Sequence, residues 1–436
     1  MIDFILTKTK KIIPIAWRPS FAADGFKRYF LNTSWMFFGQ LFSLLLSLVV
    51  GVWLARYLGP RNFGVISYAV AFVSLFAFVA NLGVDNIISR ELVKHPEDRD
   101  HLLGGGFALK ILGGLLAFIL VSASALLARL DSLTTLLIIL YATVFIFQAL
   151  NVVSFYFQAQ VKAKKNVAVQ ISATLISALL KVILIFSGGG LVWLVIIYLG
   201  DFVWQGIGFV LSYRRQGLKL SQWRIDPART RSLWQSAWPL MLAGAASFIY
   251  MKIDQVMVGY YLGAQFVGIY AAAVRVAEVF YFIPGIICTS LLPAIVNAKK
   301  INLSFYRSRL KNFFSLMLAI SILIAGPIFF FSPFIIRTLF GSAYLGAILV
   351  LQIYIWSSLG FFLIAAISTY LISEEKIKLL FFINLLTVFV NVGLNVYLIP
   401  RYGLVGAALA TLIAYSLMPL MFFSYNTLNK KIRQFA

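Results

Sequence analysis

Eight ionisable side chains interrupt stretches of sequence that are otherwise apolar, Lys110, Lys181, Lys252 and Arg275 as cations and Asp85, Asp201, Asp254 and Glu278 as carboxylates, and Arg90 stands just past the end of one such stretch. A charge at the centre of a hydrocarbon layer costs about 2.5 to 3.5 kcal/mol on insertion scales, so such groups turn toward a protein interior or a water-filled cavity. Two chemistries follow. Cations lining a cavity would hold an anion, and carboxylates at the same depth would carry a coupling proton or sodium ion. The same residues also allow a plainer arrangement, a structural ion pair such as Arg275 with Glu278, or lysines that snorkel to the interface. Arg275 and Glu278 stand three positions apart, about 60° around a helix, and share a face. Lys252 and Asp254, two apart and about 200° around, cannot both face one cavity.

The chemistry of an enzyme is not in view. No Ser/His/Asp set, no HExxH and no phosphate-cradling GxxxxGK[ST] occurs, and no loop exceeds about 20 residues. Catalysis and ATP hydrolysis within this chain are therefore not expected, nor is any cofactor. His95 and His101 fall in one polar loop beside Glu97, Asp98 and Asp100, which reads as a solvated loop and not a metal site. Cys288 stands alone in an apolar run, so no intrachain disulfide can form, and it reads as a small packing residue.

The elements that position these charges are membrane spans. The chain has 436 residues, 61% hydrophobic and 12% charged, with a mean hydropathy of +0.93, against about 25% charged for a soluble domain. Apolar runs of about 20 residues recur, each enough to cross a core roughly 30 Å thick. The pattern predicts twelve spanning helices, at about 31–56, 63–86, 102–127, 133–158, 167–187, 190–212, 233–259, 266–293, 312–336, 347–371, 377–398 and 403–426.

Of the 37 Lys and Arg, 28 fall in the segments that would share one side of the membrane, 5 on the other side and 4 within spans. Basic loops stay in the cytoplasm, so both termini are expected there. This asymmetry also accounts for the net charge of +23 without a nucleic-acid partner. No removable signal peptide is expected, because the first span follows a basic segment and lacks a small-residue cleavage site. Residues 12–17 fit either a surface-lying segment or an irregular lead-in.

The chain carries an internal repeat. Tyr57-Leu58-Gly59 is followed by Phe63-Gly64-Val65, and Tyr261-Leu262-Gly263 by Phe266-Val267-Gly268-Ile269, with each Tyr, Leu and Gly offset by 204. Gly190-Leu191-Val192 and Gly403-Leu404-Val405 match again at an offset of 213. The organisation expected is a cytoplasmic segment 1–30, a six-helix bundle 31–212, a basic cytoplasmic linker 213–231, a second six-helix bundle 232–427 and a cytoplasmic tail 428–436. Each half has an even number of spans, so the copies point the same way, an arrangement that commonly encloses a substrate site between halves and works by alternating access. A recurring glycine turn between tightly packed helices would give the same matches. Pro239, Pro284, Pro293, Pro327, Pro333 and Pro419 interrupt spans of the second half only, so that half is expected to bend more. Pro239, Pro284, Pro293 and Pro327, with Gly59, Gly64, Gly263 and Gly268, are the hinge candidates.

The stretch Leu54-Ala55-Arg56-Tyr57-Leu58-Gly59-Pro60 to Phe63-Gly64, then Asn81-Leu82-Gly83-Val84-Asp85 and Ser89-Arg90-Glu91, resembles the start of bacterial polysaccharide flippases, the Wzx type of the MOP/MATE-like exporter superfamily. Asp254 to Gly259 and Tyr402 to Ala408 resemble the same family, and the likeness runs over nearly the whole chain. It implies an all-α polytopic protein, V-shaped, of two six-helix bundles. The implied function is to turn an undecaprenyl diphosphate-linked oligosaccharide (an O-antigen, capsule or exopolysaccharide repeat unit) from the cytoplasmic to the periplasmic leaflet of the bacterial inner membrane. The candidates for the anionic headgroup are then Arg275, Lys252, Lys181, Lys110, Arg90 and Arg56, and those for ion coupling Glu278, Asp254, Asp201 and Asp85. Membrane lipids, H+ or Na+, a polysaccharide polymerase and a chain-length regulator are the implied partners. A drug or small-solute antiporter of the same superfamily would show a cavity rich in carboxylates and aromatics, and a non-transporting scaffold of a polysaccharide assembly complex would tolerate loss of Arg275.

Overall fold

The computed structural model describes the backbone of residues 24–374 and 376–435, and the side chains of 31–424 other than 243, 293, 300, 375 and 377. Residues 12–17 lie outside the described residues. Every regular element among the described residues is helical.

Nine stretches are long and apolar enough to cross a bilayer, and a tenth, Pro227–Leu242 with Gly244–Leu262, does so with a 41° bend. Two are too long for one crossing. Leu31–Ser74 and Lys378–Ser424 have 44 and 47 residues, about 66 and 70 Å at 1.5 Å per residue, roughly twice the hydrocarbon thickness. Each contains a glycine at positive φ, Gly59 (φ 68°, ψ 171°) and Gly403 (φ 58°, ψ −134°), where a helix cannot continue. Reading each as two spans meeting at a turn gives twelve spans.

The first span and the start of the second share the helix Asp24–Ser74, and the second continues through Ala77–Asn81 and Val84–Lys94. The third is Arg99–Leu127, the fourth runs from Ser132–Ala142 to Val152–Ala159, the fifth is Ala163–Phe186 and the sixth Leu191–Arg214. Pro227–Leu262 is the seventh, Ala264–Glu278 with Phe282–Ile301 the eighth, Leu303–Leu339 the ninth, and Ala347–Tyr354 with Ser357–Ser373 the tenth. The last two share Ile377–Phe435. Polar caps start several of them: Asp131 accepts from the Thr134 amide at 2.9 Å, Asp226 from Ala228 at 2.9 Å with Pro227 in the first turn, and Asn302 from Phe305 at 2.6 Å.

Helix breaks occur in both halves. Pro284 has no N–H for the Phe280 carbonyl, and a 3-10 turn, Val279–Tyr281, interrupts the eighth span just before it. Pro239 stands one turn before the bend of the seventh. Pro327 and Pro333, by contrast, lie in a ninth helix that runs unbroken. Pro293 falls within Phe282–Ile301, its side chain outside the described residues. The first half breaks without proline, in the second span at Leu82 (φ 48°) and Gly83 (φ 71°) and in the fourth at a 3-10 turn, Gln148–Asn151.

The first repeat match has a structural counterpart. Gly59 and Gly263 (φ 92°, ψ 171°) adopt nearly the same backbone, one open only to glycine. One turn on, Gly64 and Gly268 pack against each other: a Cβ on Gly64 would run into the Ala264 carbonyl, and one on Gly268 into that of Pro60. The contact is reciprocal, as a local two-fold axis requires. The second match lacks this likeness, since Gly190 is extended at φ −83° and Gly403 is not.

Around that contact the two halves are joined. Arg56 donates to the carbonyls of Leu339, at 2.7 Å, and Thr338, capping the end of the ninth span, and the Tyr344 hydroxyl donates to the Ala55 carbonyl at 2.6 Å. At the opposite, basic end, the linker and the start of the seventh span lean on the first half through glycines: Gly104 against Arg224, then Gly105 against Thr230 and Gly83 against Ala237 and Met241. Small residues let the backbones approach this closely. Phe282–Ile301 packs instead on the ninth and tenth spans and meets the first span where the Phe37 and Phe282 rings stand 6.3 Å apart.

Candidate functional site

Between the halves, at the depth of the eighth-span break, lie two adjoining cavities of about 260 and 270 Å³ that share Tyr141, Tyr198 and Arg275 in their walls. The first is built from the first, fifth and sixth spans and contains Ser47, Gly51, Lys181 and Asp201; the second reaches the seventh and eighth and contains Lys252, Gln255 and Glu278. Five of the eight intramembrane charges therefore meet in one region.

Arg275 occupies its centre. Its guanidinium lies where a Cβ of Gly51 would be, and its Nη2 donates to the Ser47 carbonyl at 3.1 Å. The absence of a side chain at Gly51 makes room for it. No carboxylate among the described residues pairs with it. The lysines differ. Lys181 lies 3.5 Å from Asp201, which also accepts from Ser177 at 2.8 Å, and Lys252 lies 2.9 Å from Glu278, which also accepts from Tyr354 at 3.4 Å. Glu278 thus pairs across helices with Lys252 and not along its own helix with Arg275. Lys181 also sits 4.2 Å from the centre of the Tyr198 ring. With two neutral pairs and one free guanidinium, the cavity carries one uncompensated positive charge.

The other candidates stand elsewhere. Lys110, 4% exposed, pairs with Asp85 at 2.5 Å inside the first half, against the Phe155 ring. Arg90 faces outward and pairs with Glu91 at 2.9 Å, and Arg56 caps the ninth span. Asp254, 1% exposed, faces away from Lys252 as the spacing requires, accepting from Tyr270 at 2.6 Å and Thr411 at 3.3 Å. In the basic-end loop His95 and Glu97 lie 3.3 Å apart, exposed, while Asp98 is held by Arg229 at 2.7 Å.

Sequence reasoning missed Tyr141, Tyr198, Gln205 and Gln255, which reach the cavity by packing across spans and leave no spacing signal. It also missed Asn391 and Asn395 in the eleventh span, both 0% exposed. They bond each other at 3.1 Å, leaving Asn391 Nδ2 and Asn395 Oδ1 unpartnered. Their signal was legible: with Asn384 and Thr387 they form one polar face on an apolar helix, at spacings of three and four.

The family model for polysaccharide biosynthesis proteins matches residues 30–299, and the MatE model matches residues 239–397. An uncharacterised membrane protein of Methanocaldococcus jannaschii is 30% identical over 176 residues, a match spanning 40% of this chain and 41% of that protein. Among solved structures, an inward-facing multidrug resistance MATE family transporter of the MOP superfamily superposes with a TM-score of 0.72 at 15% identity, covering 89% of this chain and 96% of its own. The lipid II flippase MurJ, in an inward closed conformation, gives 0.71 at 18% identity over 91% and 87%. A MOP superfamily transporter from Pyrococcus furiosus, whose binding pocket is described as of reverse polarity, gives 0.60 at 16% identity over 89% and 94%.

Proposed function

The chain belongs to the polysaccharide biosynthesis protein family, with a MOP-superfamily transporter fold, and on that premise we propose that it is a flippase for an undecaprenyl diphosphate-linked oligosaccharide. In this reading the basic end faces the cytoplasm, the halves expose the cavity alternately to the two leaflets of a bacterial inner membrane, and the lipid tail stays in the bilayer while the headgroup crosses. The observation that carries the reading is Arg275: one guanidinium, unpaired, in a cavity whose two lysines are already neutralised. A diphosphate supplies the missing anion, and guanidinium suits its oxygens through paired hydrogen bonds. Arg275 is the primary headgroup ligand here, with Lys181 and Lys252 able to exchange their carboxylates for phosphate oxygens. Asp254, buried without a cation, is the site for a coupling proton or Na+. A drug or solute antiporter would want net negative charge in this cavity, the opposite of what lines it.

The test is translocation of undecaprenyl diphosphate-linked oligosaccharide in proteoliposomes, read by a leaflet-specific label. Arg275→Ala should slow it at least about tenfold, the 1.4 kcal/mol or more of a lost charge-assisted hydrogen bond, and Arg275→Lys should restore part. Equal rates for wild type and Arg275→Ala would remove the assignment.

A further inference from the structure

A third cavity, about 270 Å³, opens at the basic end of the first half between the first, fourth and fifth spans. Its walls carry amides, Asn32, Gln40, Gln158, Asn166 and Gln170, together with Ser154, and no charged residue. Asn32, Asn166 and Gln158 are partly engaged, with the Ala163 amide, the Ser154 carbonyl and the Ser89 hydroxyl respectively. The side-chain amides of Gln40 and Gln170 have no partner among the described residues and are exposed. Gln170 lies seven residues inside the fifth span and Gln40 nine inside the apolar stretch of the first, about 10 and 14 Å deep. An amide left unpaired against hydrocarbon costs several kcal/mol, so both must face water.

This cavity and the one holding Arg275 lie on the same faces of the same two helices. Along the fifth span, Asn166, Gln170, Thr174, Ser177 and Lys181 fall within about 80° of arc and cover about 22 Å, and the last three already line the Arg275 cavity. Along the first span, Asn32, Gln40, Ser47 and Gly51 fall within about 100°. Gly39 seats against Val167, which brings the two helices close and forms the floor between these faces. The result is a polar seam that begins neutral at the basic end and turns charged at Arg275.

We propose that this seam is the glycan track: the amides and hydroxyls between the first and fifth spans bind the uncharged sugars of the lipid-linked oligosaccharide, while Arg275 holds its phosphates. Neutral amides match sugar hydroxyls, being donor and acceptor at once, and Met36 and Phe155 in the same wall offer apolar surface to the carbon faces of sugar rings. The assignment rests on the flippase reading and fixes the direction in which the headgroup lies, phosphates deep and glycan toward the basic end. Charged sugars would find no counter-ion in its neutral stretch between Asn32 and Gln170.

The test compares the affinity of the purified protein for undecaprenyl diphosphate with that for the same lipid bearing a neutral hexose oligosaccharide. Wild type should bind the glycosylated lipid at least about tenfold tighter. The double variant Gln40→Leu, Gln170→Leu should bring that ratio close to one while leaving affinity for the bare lipid unchanged. A second measurement does not depend on that variant: Gln170→Cys, labelled by a water-soluble thiol reagent, should be protected by the glycosylated lipid and not by the bare one, with Cys288 buried and out of reach. An unchanged ratio in the double variant, equal loss for both lipids, or protection by the bare lipid would overturn the track. Wild type that binds the bare lipid but gains nothing from the glycan would overturn it and leave the flippase reading standing, whereas failure to bind either lipid would sink both.

Discussion

The chemistry of the central cavity is decided by which charges are left over. A buried or half-buried ion pair contributes little net stability but neutralises both its members, and Lys181 and Lys252 are neutralised in this way by Asp201 and Glu278. The sequence could place Arg275 and Glu278 on one helical face and could exclude Lys252 and Asp254 from a shared one. It could not say that Glu278 would choose Lys252 from the neighbouring span, because that choice depends on how two helices are rotated against each other. Asp254 belongs to a different environment, closed off with Tyr270 and Thr411. Asp254→Asn keeps its shape and removes the charge that would hold a coupling ion. Translocation by this variant should fall at least about tenfold and lose its response to an imposed H+ or Na+ gradient; a gradient response equal to wild type would exclude Asp254 from coupling.

At the scale of the elements, glycine backbones determine where the halves touch. The reciprocal seat of Gly64 on Gly268 closes one end of the molecule, with Arg56 and Tyr344 fastening its margin. Backbone cannot yield to an added side chain as another side chain can. Gly64→Leu should therefore prevent that end from closing, at a cost of about 1–3 kcal/mol or more to the closed state, and thiol labelling from the Gly-turn side at a cysteine replacing Ser67 in the cavity wall should rise severalfold. Unchanged labelling would show that the seat is not a gate. The twin motifs were legible as a repeat, but not that the two copies would touch, since symmetry in sequence gives no distance. At the basic end, Glu374 ties the tenth span to Lys299, at 3.0 Å, and to Tyr306. Burial pushes its carboxyl up, but the Tyr306 hydroxyl and the Lys299 ammonium outweigh burial and hold it below its ordinary value of 4.5. Its contribution is thus fully present above about pH 4.5 and lost as pH falls further through the lowered value. Thermal melts of the detergent-solubilised protein should lose less stability between pH 5 and 3 in Glu374→Gln than in wild type, and parallel pH profiles would contradict this.

At the scale of the whole molecule, the class of protein was readable from composition, and the twelve spans from hydropathy and the side-to-side bias of Lys and Arg. Those signals survive because lipid imposes them on every crossing. The enclosure was not readable: Tyr141, Tyr198 and Gln205 become cavity wall only once the spans are assembled. That assembly leaves, among the described residues of the cavity, a single guanidinium without a carboxylate between two halves that touch at both ends, with a polar seam leading from it toward the basic end. The measurement that bears most directly on this account is the affinity of the purified protein for undecaprenyl diphosphate against undecaprenol, the same lipid without its phosphates, in wild type and in Arg275→Ala. Wild type should prefer the diphosphate at least about tenfold, a preference that weakens with added salt and disappears in the variant. A preference that persists undiminished without Arg275 would contradict the account.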